Sequence, residues 1–154
     1  MMRTMHPVSI RPALPEDGPR ILAMLGNLAS FEGAAHPPRL DLLALANDVF
    51  TPTPRLRILV AENEASAFLG VISYFENYSS WERQAGIHIT DLWVEAEARR
   101  HGVGAALIRH VISLHRAKRI DVFVLRENDA RTFYEHLRFS EQKEWCLYRR
   151  DADQ

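Results

Sequence analysis

A chain of 154 residues has the size of one folded domain, and 47% hydrophobic with 25% charged residues is an ordinary globular composition, which excludes disordered and fibrous classes. Nineteen basic against twenty acidic side chains leave a net charge of -1, so no global field recruits nucleic acid or an anionic membrane. Cys146 is the single cysteine, which rules out an internal disulfide, fits a reducing compartment and reads as a small buried hydrophobe. Residues 1–7 lack the apolar stretch of a signal peptide, and no apolar run approaches the ~20 residues of a membrane span. The expectation is one cytoplasmic domain over residues 1–154, with neither a nucleic-acid nor a membrane partner.

Residues 8–11 form a short strand candidate that Pro12 stops. Pro15, Glu16 and Asp17 open a helix, with proline and two acids in its first turn, and Ile21, Leu22, Leu25, Leu28 and Ala29 give it one apolar face. A second helix is expected over 39–49, bracketed by Pro37-Pro38 and by Pro52 and Pro54. Residues 57–61 and 68–75 read as an antiparallel hairpin around a turn at 62–66. A polar segment, 76–84, interrupts before a further strand at 87–94. Residues 102–117 carry Val103, Leu107, Val111 and Leu114 at helical spacing, and 120–125 is a strand of β-branched and aromatic type. A short helix at 129–137 and a last strand at 144–149 complete the order βααβββαβαβ.

The segment between the 87–94 strand and the following helix runs Arg99-Arg100-His101-Gly102-Val103-Gly104-Ala105-Ala106. Gly102 and Gly104 have no Cβ to block an anion from the free amides of the first helical turn, where the helix dipole favours negative charge, and Arg99 and Arg100 add positive charge. A P-loop would need lysine and Ser or Thr where Ala105-Ala106 stands, and a dinucleotide fingerprint would need a third glycine where Leu107 stands. The seven histidines show no H-E-x-x-H pair, so no metal is expected, and no G-x-S-x-G elbow marks a serine hydrolase.

Arg99-Arg100-His101-Gly102-Val103-Gly104 resembles the Q/R-x-x-G-x-G/A signature of the GNAT superfamily of acetyltransferases. Ile10-Arg11-Pro12-Ala13 with Asp17 and the segment from Asn128 through Phe133-Tyr134 to Phe139 are similar to that family's opening and closing motifs. Leu28 to Glu32, Tyr74 to Trp81 and Asp91-Leu92-Trp93-Val94 look most like its diamine (spermidine/spermine) acetyltransferase branch. The resemblance implies a GNAT fold of the α/β (α+β) class, with a mixed, mostly antiparallel sheet flanked by helices. It also implies acetyl-CoA as cosubstrate, a small primary amine as acceptor and a homodimer to which Trp145 and Leu147 could contribute. Arg99, Arg100, His101, Gly102, Val103, Gly104 and Ala105 would take the pyrophosphate, and Leu92, Trp93 and Val94 the pantetheine arm.

Acetyl transfer to an amine needs an unprotonated amine, a donor for the developing oxyanion, an acid for the departing thiolate and aligned reactants. By resemblance a bulge in the fourth strand splays it from the fifth, the backbone N–H of Leu92 there is the oxyanion donor, and Tyr134, which also touches the cofactor, is the acid. Asp91 and Glu32 are the acidic candidates for proton removal, directly or through a water, and the choice between them stays open. Glu32, Asp91, Trp81 and Trp145 are the candidates for holding a cationic acceptor. Three departures stand out: Glu127 in place of the usual asparagine, Arg138 in place of a helix-ending glycine, and Thr90 where the diamine enzymes carry a glutamate. A threonine hydroxyl is no base at neutral pH, and Thr90 with Arg138 supports the alternative of a degenerate GNAT domain that binds CoA or a protein partner without catalysis.

Overall fold

The computed structural model describes residues 7–152; residues 1–6 and 153–154, part of the expected 1–154 domain and of the N-terminal reading, lie outside them. Two compact units divide the chain, residues 1–123 and 124–154. The first holds β1 (Ser9–Pro12), a 3-10 turn (Pro15–Asp17), α1 (Gly18–Phe31), α2 (Leu42–Asp48), β2 (Arg57–Glu62), β3 (Phe68–Ser79) and β4 (Gln84–Val94). A second 3-10 turn (Ala96–Ala98), α3 (Val103–Leu114) and β5 (Ile120–Val122) complete it. The five strands form one sheet in chain order, antiparallel from β1 to β4 and parallel between β4 and β5. No helix among the described residues is long and apolar enough to cross a membrane.

Alternation along the strands divides the sheet between two helical layers. Ile58, Val60, Val71 and Trp93 pack with Ile21, Met24 and Leu25 of α1 and Leu45 of α2. On the opposite face a Cβ at Gly70 would lie 3.2 Å from Leu107 and 3.4 Å from Val103 of α3. That glycine lets α3 approach β3 closely.

Several boundaries differ from the sequence reading. α2 begins at Leu42 because the Asp41 carboxylate caps it, accepting the Ala44 N–H at 2.8 Å. The polar segment 76–84 does not interrupt the hairpin, since β3 and β4 pair out to Ser79 and Gln84 and turn at 80–83. An extension that faces water needs no apolar residues to keep its backbone ladder. The strand expected over 144–149 is not formed, and Trp145, Leu147 and Tyr148 are exposed, as is Cys146, which was expected to be buried. Alternating residues supply a strand's faces, but only a neighbouring strand supplies its hydrogen bonds.

The second unit contains α4 (Ala130–His136), where Tyr134 is buried edge-to-face against Phe133 and Phe139. Arg138 follows in the left-handed region at φ 68, with its N–H on Glu135 O and that of Phe139 on Tyr134 O. The turn that glycine usually makes is therefore kept, at the steric cost of a Cβ there.

Arg11 joins the start of the chain to the sheet. Its guanidinium donates to Asp17 at 2.7 Å and to Glu62 at 3.1 Å, and Asp17 also accepts the Leu14 N–H. Asp17 is buried, and its bond from Arg11 holds its carboxyl below the usual range against the opposing effect of burial. Asp17→Ala is expected to cost about 2–4 kcal/mol in urea denaturation near neutral pH, because it leaves a partly buried guanidinium short of a partner. A depressed folded pKa stabilises above the unfolded value of ~3.9 and is lost as pH falls through the folded one, so the gap between the two proteins should close in strong acid.

Candidate active site

The register of β3 on β4 changes by one residue in mid-sheet: Ser73 faces Asp91, but Tyr74 faces Ile89. Thr90 is the extra residue, a β-bulge on β4, and it is exposed. β5 pairs with β4 only through Ile87, His88 and Ile89, so beyond the bulge the β5 side of β4 has no paired strand. The Ile87 N–H points that way, bonding Arg119 O at 2.8 Å. Alternation would aim the next odd residues alike, but the inserted Thr90 reverses the phase and turns the N–H of Leu92 toward the open side. The carbonyl of Val94 shares that phase and is met by Arg99 Nε at 3.0 Å.

Asp91 lies one residue from that amide, on the face covered by α1. It is half-buried, and the hydroxyl of Ser73 directly across donates to its Oδ2 at 2.5 Å. Burial pushes the Asp91 carboxyl up and the Ser73 bond opposes it. Glu32, the residue capping the C-terminus of α1, is raised by burial and then by the negative charge of Asp91. Two acids from different elements therefore face one region of the β4 edge. Like charges so placed favour a cation between them.

The glycine turn sits at the end of the same strand. Arg100 and Gly102 both have positive φ, 64° and 81°, and Gly102 is the N-cap of α3 with no side-chain cap on the first-turn amides. A Cβ built on Gly102 meets nothing within 4 Å, so its space is open as well as its conformation left-handed. Val103 is buried toward β3, leaving its backbone as the part that can meet a ligand; Gly104 and Ala105 are half-buried and His101 is exposed. The curl of amides suits an anion.

Arg99, expected beside the phosphate, has further contacts in the fold. Its guanidinium lies 4.6 Å from the Trp93 ring and 5.1 Å from that of Phe31, and those rings meet edge-on at 5.8 Å. Arg99 thereby fastens the glycine turn to the end of β4 and to the α1 terminus that carries Glu32.

Of the other aromatic candidates, Trp81 is not brought to this place. Trp81, 91% exposed, sits in the hairpin turn beyond Gln84, which is seven residues or about 23 Å of strand from Asp91 at ~3.3 Å per residue. A separate cleft of about 230 Å³ lies there, lined by Asn77, Ser79, Trp81, Glu82, Arg119 and Asp121. Trp145 and Tyr134 belong to the second unit, Trp145 exposed and Tyr134 buried. Ser73 escaped the sequence reading. Its only signal there is a hydroxyl inside the otherwise apolar run Gly70-Val71-Ile72-Ser73-Tyr74-Phe75. No group of three or more His, Cys, Asp or Glu side chains is gathered for a metal among the described residues.

Residues 54–141 match the acetyltransferase (GNAT) domain family, and the chain belongs to it. It is 31% identical to the thialysine N-epsilon-acetyltransferase of Bos taurus over 111 residues, 68% of this chain and 65% of that protein. The Mus musculus protein of the same name is 30% identical over 109 residues, 66% of this chain and 64% of its own length. The matched stretch thus covers a little under two thirds of these curated relatives. Among solved structures, a possible acetyltransferase from Clostridium difficile 630 superposes with a TM-score of 0.78 at 22% identity, covering 96% of this chain and 99% of that one. That likeness shows the fold.

Proposed function

We propose that residues 1–154 act as one acetyl-CoA-dependent N-acetyltransferase domain whose acceptor is a small primary amine. The observation that carries this is the bulge at Thr90, which sets the Leu92 amide on the unpaired edge of β4 beside Asp91 and Glu32. The acceptor read most directly from the relatives is an amino acid with a terminal amine, thialysine first and lysine or a short diamine next. Long polyamines fit less well, because Ser79 and Thr90 stand where the diamine enzymes carry carboxylates.

The residues fit the cosubstrate. Amides of the α3 first turn and the left-handed Arg100 and Gly102 would hold the pyrophosphate, and the Trp93 and Val94 backbone would line the pantetheine arm. Bound acetyl-CoA supplies an acetyl group already activated as a thioester. The Leu92 N–H donates to the acetyl oxygen as negative charge develops on it. An alkyl ammonium has an unperturbed pKa near ~10.4, so Asp91, with Glu32 behind it, takes a proton from the nitrogen. The nitrogen then bonds the carbonyl carbon while the C–S bond breaks, and the sulfur receives its proton from the Tyr134 hydroxyl. A phenol with pKa near ~10 holds that proton at neutral pH.

The reading takes the protein as cytoplasmic and homodimeric, with the exposed Trp145 and Leu147 contributing to the contact between copies. Light scattering at micromolar concentration should give twice the chain mass, and a monomer would remove that part.

Release of free thiol from acetyl-CoA in the presence of thialysine tests the activity. Gly104→Glu should abolish acetyl-CoA binding by calorimetry while leaving the fold intact, since it puts bulk and negative charge in the anion's place. Tyr134→Phe should lower kcat by roughly 10²- to 10⁴-fold with little change in acetyl-CoA affinity, equivalent to about 3–5 kcal/mol of barrier. Near-normal turnover would leave Tyr134 as a packing residue.

A further inference from the structure

Ser73 has no exposed surface and sits in β3 between Ile72 and Tyr74, both buried. A buried hydroxyl costs free energy unless it is bonded, and alanine or valine would occupy a central strand position without that cost. Its bond is to Asp91 Oδ2, across the last strand pair before the inserted Thr90. We propose that Ser73 is a positioning residue for acetyl transfer: its hydroxyl fixes the Asp91 carboxylate beside the Leu92 amide and keeps it ionised.

The role rests on the reading of the β4 edge as the acyl-transfer site. Donation to the charged carboxylate favours ionisation and opposes the effect of burial. Glu32 on α1 is the charged group that acts with Asp91 from the helix packed on that face. On the other elements around β4 the titratable groups have different partners: Asp121 of β5 acts on His88, and His115 after α3 acts with Tyr74, Lys118 and Glu76. Ser73 is a neutral group that acts on the charge of Asp91 directly, through its hydrogen bond.

The test uses the full chain labelled with ¹³C. The Asp91 carboxyl resonance, identified by its loss in Asp91→Asn, is followed through the acid range, and kcat/KM for thialysine is measured over the same pH values. In Ser73→Ala the Asp91 midpoint should move to higher pH. Below that midpoint kcat/KM should fall about tenfold, the worth of one hydrogen bond to a charged group, and it should recover as pH rises. Ser73→Thr keeps the hydroxyl and should keep the wild-type midpoint. If Ser73→Ala does not fold, Ser73→Cys, a weaker donor of similar volume, should shift the midpoint in the same direction. An unmoved midpoint in a folded variant overturns the proposal, as does a moved midpoint with an unmoved acid limb of kcat/KM. A moved midpoint in a protein that acetylates neither thialysine, lysine nor a short diamine upholds the Ser73–Asp91 coupling and overturns the acyl-transfer reading instead.

Discussion

One inserted residue in β4 organises the functional half of the sheet. A strand has a period of two in its side chains and in its hydrogen bonds, so an extra residue reverses both beyond it. Before Thr90, odd-numbered residues turn their amides to β5; after it, Leu92 does, and β5 is no longer paired there. The same reversal puts Asp91 opposite Ser73 on the α1 face instead of the α3 face. An amide donor without a strand partner and a carboxylate beside it thus have one cause.

Neighbouring elements hold this arrangement by contacts of different chemistry. Arg99 ties the glycine turn to Val94 by a hydrogen bond and to Trp93 and Phe31 through their ring faces. Because Glu32 follows Phe31 directly, the segment suited to a phosphate and a carboxylate suited to an amine are anchored to the same strand end. Arg11 does similar work far from the opening, closing β1 and the first 3-10 turn onto β2 through Asp17 and Glu62. Gly70 contributes by absence, since a Cβ there would come within 2.8 Å of Trp93 O.

The electrostatics of the site are a balance. Burial alone would press Asp91 toward its neutral form, and the Ser73 hydroxyl works against that. Glu32 is raised by its own burial and then by the negative charge of Asp91. A positive charge between the two acids would relieve their repulsion, which is what the proposed amine acceptor supplies.

The sequence by itself determined the five strands of the sheet, the helix after the glycine turn and the family, because hydrophobic period, prolines and glycines act locally and are written along the chain. The open turn at Gly102 and the apolar face of α1 were legible for the same reason. Only the tertiary structure decided what depends on a neighbour. A bulge exists in the register between two strands: the resemblance implied one in this strand, but only the pairing of Ser73 with Asp91 and of Tyr74 with Ile89 makes Thr90 the inserted residue. Ser73 looks like an ordinary polar interruption until Asp91 stands across from it. Arg99 reads as a positive charge beside the glycine turn, and only the fold adds its contacts with two rings and a carbonyl. Residues 144–149 carry the apolar run Trp145-Cys146-Leu147-Tyr148 and form no strand, because a ladder needs hydrogen bonds that no segment can supply to itself.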